Sequence, residues 1–231
     1  MPLLLFDIDG TLLLSDGVGR RTIREALSAI VGKPVSSDTV SFSGRTDPAI
    51  MRDVLRESGC SEEEAHELLP ACLETFAEIF SGRVQPRHMT VLPGVHRLLD
   101  TVAERYGKPL GLVTGNLEVT AWAKLKAAGL QDYFTFGAYG SDHENRNLLP
   151  AVALDRARTH GFEPVRADRA VIIGDTEHDI GCSRHAGMAV VAVATGRIGL
   201  ETLRAHGPDL LLENLDDTDR IIAFLDEVAA R

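Results

Sequence analysis

Residues 3–11 read LLLFDIDGT, four apolar residues followed by two aspartates that lie two positions apart and then by a glycine. The apolar run predicts a buried β-strand, on which side chains two positions apart share a face. Asp7 and Asp9 then point the same way if the strand continues, and Gly10 lets the chain turn away. Two such carboxylates repel each other unless a cation binds between them or one keeps a proton. The stretch therefore predicts a chemical site, with an Asx turn of Asp9 onto its own backbone near Thr11 as the alternative.

The composition excludes several classes of protein. The chain has 231 residues, of which 44% are hydrophobic, so it can bury a substantial core. Its 24 basic and 34 acidic residues give a net charge of −10, without a basic cluster of the kind that binds nucleic acid or anionic membranes. Apolar stretches are shorter than the roughly 20 residues of a membrane span, and no basic segment precedes the first one. We therefore expect a cytoplasmic protein whose partner is a small molecule rather than a nucleic acid or a membrane.

The cysteines indicate neither a disulfide framework nor a zinc site. Cys60, Cys72 and Cys182 are odd in number, widely spaced and outside any C-x-x-C pattern. We predict that they are ordinary packing thiols.

In the second half of the chain, short apolar runs alternate with helix-length amphipathic segments, a pattern typical of βαβ units. The runs are almost continuously apolar, as expected where helices cover both faces of a parallel sheet. The predicted fold class is therefore α/β. The predicted strands cover residues 3–7, 110–114, 133–138, 170–174, 189–194 and 210–212.

Residues 16–89 differ from the rest of the chain, because they contain helical patterns and almost no strand signal. One helix is predicted to begin at Ser61, since Ser61 and Glu64 match a capping box. The chain therefore divides into an all-helical insertion, residues 16–89, and an α/β core, residues 1–15 plus 90–231. The other helices predicted around this junction cover residues 19–31, 47–58 and 94–104.

Polar residues follow two of the predicted strands, where ligands of open parallel sheets bind. Thr114, Gly115 and Asn116 can hold an anion with side-chain and backbone donors, or alternatively can cap the next helix. Asp175 follows another strand, and Asp179 lies four residues further on, on the same face if a helix begins there. The alternative for Asp179 is that it only stabilises the first turn of that helix.

Three patterns therefore occur in order at strand ends: D-x-D-G-T from Asp7, T-G-N from Thr114 and G-D-x-x-x-D from Gly174. With this set, the chain resembles the haloacid dehalogenase-like hydrolase superfamily over nearly its whole length, and in particular its phosphoglycolate-phosphatase-like members. The resemblance implies a Rossmann-like parallel sheet in a three-layer α/β/α core. It also implies that the helical insertion is a small cap of the C1 type, whose underside contacts the substrate.

The resemblance implies roles for individual residues. Asp7 resembles the nucleophile of the family, and Asp9 resembles its general acid and base. Magnesium would be bound by Asp7, the main-chain carbonyl of Asp9 and Asp175, with Asp179 in support. The residues that resemble the phosphate-binding set are Thr114, Gly115, Asn116 and Arg146, and those that resemble the substrate-specificity loop of the cap, residues 43–47, are Gly44, Arg45 and Thr46.

One departure from the family concerns its lysine, which is absent from residues 140–150. Arg146 is the candidate replacement, although Arg156 and Arg158 on the following helix are alternatives, as is an exposed loop position for Arg146. The exchange is not neutral, because arginine is planar and bidentate whereas lysine is a point charge. Candidates to meet a second anionic group of the substrate, such as a carboxylate, are three arginines of the cap, Arg20, Arg21 and Arg45. The alternative for Arg20 and Arg21 is that they are solvated helix-face residues.

The implied activity is magnesium-dependent hydrolysis of a small phosphorylated metabolite, with phosphoglycolate as one candidate. A phosphate monoester carries about −1.5 to −2 charges near neutral pH, so carboxylates alone would repel it and Mg²⁺ would resolve the conflict. Asp7 would attack phosphorus, and Asp9 would protonate the leaving oxygen and then deprotonate water. The alternatives are a phosphomutase of the β-phosphoglucomutase type and a switch that resembles phospho-receivers. A dehalogenase is disfavoured, because halide departure needs no acid, and the sequence leaves the oligomeric state open.

Overall fold

The computed structural model describes residues 2–107, 110–162 and 166–231. Six of its strands form one sheet, in which every neighbouring pair is parallel. In chain order, the strands are β1 Leu3–Phe6, β2 Leu13–Ser15, β3 Met89–Val91, β4 Leu110–Val113, β5 Phe136–Ala138, β6 Ala170–Gly174, β7 Ala189–Val193 and β8 Leu210–Leu212. The order in the sheet is β5-β4-β1-β6-β7-β8, so β1 lies in its interior between β4 and β6.

Helices cover both faces of this sheet, as the alternation of buried side chains along β1 illustrates. Leu4 and Phe6 belong to one apolar cluster with residues of three helices, whereas Leu3 and Leu5 belong to another with residues of two different helices. The three-layer α/β/α architecture predicted from the sequence is confirmed. The helices are α1 Val18–Val31, α2 Asp47–Glu57, α3 Glu62–Arg83, α4 Val95–Tyr106, α5 Glu118–Ala128, α6 Leu149–Thr159, α7 Glu177–His185, α8 Leu200–Ala205 and α9 Thr218–Ala229.

Helices α1, α2 and α3 pack on one another around an apolar cluster of their own, which includes Leu27, Met51 and Phe80. The long helix α3 begins where the sequence predicts. The Ser61 hydroxyl oxygen accepts a hydrogen bond from the Glu64 backbone N–H (3.1 Å), and the Glu64 carboxylate accepts one from the Ser61 N–H (2.7 Å). This capping box fixes the first turn of the helix.

Two details of the sheet differ from the sequence-based prediction. Strand β5 starts at Phe136 rather than at residue 133, because Gln131–Tyr133 forms a 3₁₀ turn before it. Strands β2 and β3 pair in an antiparallel ribbon that was not predicted, since three residues are too few to show a period. This ribbon lies at both junctions between residues 16–89 and the rest of the chain, and the domain boundaries stay a prediction.

None of the helices within the described residues is both long enough and apolar enough to cross a membrane. The positions of the cysteines agree with the prediction that they are packing thiols. Cys72 and Cys182 lie in apolar clusters, and Cys60 packs at the edge of one. All three are free cysteines.

Candidate active site

The two aspartates after β1 lie in different surroundings. The Asp7 N–H still donates to the Ile173 carbonyl oxygen of β6 (2.9 Å), which keeps Asp7 in register with the sheet, and its side chain is 6% exposed. The side chain of Asp9 is 39% exposed, and its Oδ2 accepts hydrogen bonds from Asn116 and Lys124 rather than from its own backbone. The alternative of an Asx turn at Asp9 is therefore not what the structure contains.

Asp7, Asp175 and Asp179 form a buried acidic cluster, in which one carboxylate oxygen from each residue lies within 4.8 Å of the other two. Asp175 stands directly after β6, and Asp179 lies in the first turn of α7. Burial, followed by the charges of Asp7 and Asp179, raises the pKa of Asp175, and burial raises the pKa of Asp7. Three carboxylates held together in this way call for a compensating cation.

Arg146 supplies part of that positive charge. One nitrogen, Nη2, lies 3.1 Å from Asp7 Oδ1 and 2.5 Å from Asp179 Oδ1, and the side chain is 7% exposed. Burial alone would lower the pKa of this guanidinium, but the carboxylates of Asp179 and Asp7 raise it well above its ordinary value. The two alternative arginines lie elsewhere, because Arg156 pairs with a loop aspartate and Arg158 pairs with a neighbour on its own helix.

Asp175 is the member of the cluster with which Arg146 forms no ion pair. Its Oδ1 accepts a hydrogen bond from the Thr11 hydroxyl (3.3 Å), and within the described part of the chain it takes part in no ion pair. The backbone also closes around it, since a Cβ at Gly10 or Gly196 would lie 2.3 or 1.7 Å from Asp175 Oδ2. Carboxylate oxygens at such a site are the ligands that Mg²⁺ prefers, so the residues present fit this ion.

The residues after β4 lie beside the acidic cluster. The Thr114 side chain is fully buried, and its hydroxyl oxygen accepts a hydrogen bond from the Asn116 side-chain amide (2.7 Å), which also donates to Asp9 Oδ2 (2.8 Å). The alternative of helix capping is not observed, because Leu117 occupies the N-cap of α5 without a side-chain hydrogen bond. Thr114, Gly115 and Asn116 instead line a cavity together with Asp7.

Lys124 is a site residue that sequence reasoning missed. Its Nζ donates to Asp9 Oδ2 and to Asn116 Oδ1, both at 2.6 Å, and the residue is 6% exposed. Lys124 lies on α5 next to Leu125 and one turn after Ala121, which are both buried. A lysine that falls on the same helix face as these two apolar residues is a signal that could have identified it.

The loop at residues 43–47 of the helical insertion lies directly on the strand-end loops of the core. The Thr46 hydroxyl donates to the Glu144 carbonyl oxygen (2.7 Å), and the Gly44 carbonyl oxygen accepts from Arg146 Nη1 (3.2 Å). A Cβ at Gly115 would lie 2.1 Å from the Arg45 carbonyl oxygen, so only glycine permits this approach. The predicted specificity loop and the predicted phosphate-binding loop are therefore in contact.

A cavity of about 250 Å³ separates the insertion from the core above the acidic cluster. This volume is smaller than the roughly 300–1,000 Å³ of pockets for drug-sized ligands and suits a small metabolite. Core residues at the strand ends line one wall of the cavity, and side chains of the insertion form the other wall. Residues that line it include Asp7, Asp9, Thr114, Arg146 and Asp175 from the core, and Arg20, Phe42, Arg45 and Phe76 from the insertion.

Comparison with known proteins identifies the family. The family model described as haloacid dehalogenase-like hydrolase matches residues 4–193. This match spans most of the chain, so the protein belongs to the haloacid dehalogenase-like hydrolases. The family and the hydrolase class that the sequence motifs predict are thereby confirmed.

Individual relatives are named as phosphatases. The chain is 28% identical over 196 residues to a phosphoglycolate phosphatase from Rhodobacter capsulatus, covering 84% of this chain and 85% of the relative. It is 26% identical over 229 residues to the pyrophosphatase PpaX from Bacillus pumilus, covering 94% of each. Among solved structures, a predicted phosphatase from Clostridium acetobutylicum superimposes with a TM-score of 0.73 at 19% identity, covering 95% of this chain and 97% of that one, which supports the fold alone.

Asp47 joins the helical insertion to the core through a buried carboxyl group. Its N–H donates to the Gly115 carbonyl oxygen (2.7 Å), and its Oδ2 accepts from the Leu117 N–H (2.9 Å). Burial raises the pKa of Asp47 from 3.8 to about 6, although Lys124 and the Leu117 N–H oppose the shift. Folding therefore favours the protonated form of this group between about pH 4 and pH 6.

The sign of this shift predicts how an Asp47→Asn variant behaves. The folded state binds the proton more tightly than the unfolded state, so the wild type loses stability through Asp47 as pH rises from 4 to 7. Asparagine keeps the acceptor for Leu117 but carries no charge. The free energy of unfolding of the variant minus that of the wild type, both measured with urea, should therefore increase by about 3 kcal/mol from pH 4 to pH 7.

A matched control is Asp155→Asn, which changes a side chain that is 75% exposed. Its difference in unfolding free energy from the wild type should stay constant between pH 4 and pH 7. A difference for Asp47→Asn that is equally constant would show that the buried carboxyl group is not a source of pH dependence.

Proposed function

We propose that the protein is a magnesium-dependent phosphatase, which hydrolyses a small phosphorylated metabolite through an aspartyl-phosphate on Asp7. The observation that carries the proposal is the position of Asp7, buried beside Arg146 and the acidic cluster and facing a small cavity. Relatives named as phosphatases support the reaction class.

Electrostatics explain why this site would need Mg²⁺. Asp7, Asp175 and Asp179 would repel a phosphate monoester, and Arg146 offsets only part of their charge. Magnesium would be held by Asp7, Asp175 and the main-chain carbonyl of Asp9, with Asp179 in support. When bound, it supplies positive charge that both carboxylate and phosphate oxygens can share.

The chain's own residues would then carry out the phosphoryl transfer. A carboxylate oxygen of Asp7 attacks phosphorus, and the bond from phosphorus to the leaving oxygen breaks with its electron pair on that oxygen. The Thr114 hydroxyl already accepts from Asn116, which leaves its proton free to donate to a phosphate oxygen. Arg146 orients Asp7 through its contact with Oδ1.

Asp9 is placed to move the proton. Its Oδ2 is held by Asn116 and Lys124, while its Oδ1 makes no hydrogen bond within the described residues. The free oxygen can give a proton to the leaving alkoxide and later take one from the water that attacks the aspartyl-phosphate. The cavity wall formed by the helical insertion would limit the access of bulk water to this exchange.

Asp7→Asn is the direct test of the nucleophile. Because an amide oxygen is a poor nucleophile toward a phosphate ester, phosphate release with Mg²⁺ should fall by at least about 10³-fold. Release would be measured over a panel of phosphorylated metabolites, with Asp155→Asn as a control that keeps wild-type rates. Appreciable turnover by Asp7→Asn would remove Asp7 from this role.

Lys124→Met tests the support of Asp9. The change leaves Asp9 and Asn116 without the ammonium group that holds both, so kcat should fall by about 10- to 100-fold while KM changes little. Lys126→Met is the matched control, since Lys126 is exposed two positions further along α5. Equal kcat values for the two variants would show that Lys124 only contributes to folding.

The same assays separate the phosphatase from its alternatives. Isomerisation of a hexose 1-phosphate without release of inorganic phosphate would indicate a phosphomutase. A stable phosphorylated Asp7 without turnover would indicate a switch. The cytoplasmic location inferred from the sequence stays a prediction.

A further inference from the structure

Two arginines that no step above uses face the same cavity. Arg20 lies in the first turns of α1 in the helical insertion, and Arg197 follows β7 in the core, directly after Gly196. Arg20 is half-buried, and Arg197 is exposed. The cavity therefore has a cationic side chain on each of its two walls, in addition to the buried Arg146.

Neither guanidinium is held in an ion pair by a carboxylate of the described residues. Arg20 Nη1 donates to the Ser37 carbonyl oxygen (2.7 Å), and its guanidinium carbon lies 3.8 Å from the centre of the Phe42 ring. Across the residues that the structure describes, neither Arg20 nor Arg197 takes part in an ion pair. The contacts of Arg20 hold its guanidinium in place and leave its charge available.

The other cap arginines that the sequence singles out are occupied. Arg21 pairs with Asp16 at 3.0 Å on the surface, and Arg45 pairs with Asp53 at 2.7 Å. Their charges are compensated within the protein, so they are weaker candidates to meet a second anion. The structure thus separates Arg20 from the two residues with which the sequence groups it.

Arg20 and Arg197 are close enough to repel each other. Burial, followed by the positive charge of Arg197, lowers the pKa of Arg20, although the carboxylate of Asp38 acts in the opposite direction. Arginine stays protonated in proteins, so this repulsion is not relieved by loss of a proton. An anion that binds between the two side chains would relieve it.

We propose that Arg20 and Arg197 form a second anion subsite, which selects phosphate monoesters that carry a further carboxylate or phosphate group. This inference rests on the proposed function, since it assigns the reacting phosphate to Asp7 and the second anion to the arginine pair. The side chains of Ile23, Ile50 and Phe76 line the same cavity and suit a short carbon chain between the two anions. Because the arginines belong to opposite walls, such a substrate would also join the insertion to the core.

The test uses phosphonates, which cannot be hydrolysed and therefore report binding alone. Affinities of the wild type with Mg²⁺ would be measured by calorimetry for propylphosphonate, for 3-phosphonopropanoate, in which a carboxylate replaces the methyl group, and for propane-1,3-diylbisphosphonate. At least one of the two compounds with a second anionic group should bind about tenfold more tightly than propylphosphonate. The tighter of the two identifies the second anion as carboxylate or phosphate.

In Arg20→Gln and in Arg197→Gln, the compound with a second anionic group should bind less than about threefold more tightly than propylphosphonate. The affinity for propylphosphonate itself should stay the same. Arg220→Gln is the control, since Arg220 is an exposed arginine of the core that lies outside the cavity lining. Arg197→Gln keeps the test valid if Arg20→Gln does not fold, because Arg197 is an exposed side chain.

Two results would overturn the subsite: no preference of the wild type for either compound with a second anionic group, or a preference that both variants retain. Phosphate release by the wild type from ethyl phosphate and phosphoglycolate is measured separately. Absence of release from every ester, together with a preference that depends on the arginines, would refute the phosphatase and leave the subsite standing. Release of phosphate without a preference that depends on the arginines would refute the subsite and leave the phosphatase standing.

Discussion

The site depends on one electrostatic constraint, the convergence of three buried carboxylates beside a single arginine that pairs with two of them. Asp7 and Asp175 meet because β1 and β6 are parallel neighbours whose carboxyl ends share one edge of the sheet, and α7 adds Asp179. Burial makes such a cluster costly, and Arg146 compensates only part of it. The remaining negative charge would favour a divalent cation in the proposed site, and the cation in turn would make a phosphate ester acceptable there.

The second feature of the site is the close approach of the helical insertion to the core. Gly115 permits it, because a side chain at this position would collide with the backbone of Arg45. Asp47 then binds the backbone on both sides of Asn116. The chemistry therefore lies beneath a wall formed by another part of the chain, and the ribbon of β2 and β3 connects the two parts. The same wall carries Arg20, so binding specificity and closure of the site would share residues.

Much of this arrangement is predictable from the sequence, for a physical reason. Apolar runs predict the parallel strands, and the ends of parallel strands meet, so the residues after each run are brought together without knowledge of loop geometry. This reasoning places Asp7, Thr114 and Asp175 at one edge of the sheet. It does not choose between Arg146 and the arginines of the next helix, because that choice depends on the path of a loop. The same reasoning does not identify Lys124, because Lys124 lies within a helix. It does not identify Arg197 either, because Arg197 follows a strand without being part of a recognisable motif.

The central claim is that Asp7 carries the phosphoryl group during turnover. Borohydride reduces an aspartyl-phosphate but leaves an ordinary carboxylate intact, so treatment of the enzyme during hydrolysis converts the phosphorylated residue to homoserine. Mass spectrometry of the peptide that contains residues 3–11 should locate this change at Asp7, only with substrate and Mg²⁺ present. Steady hydrolysis with an unmodified Asp7, or with the change at another residue, would contradict the account.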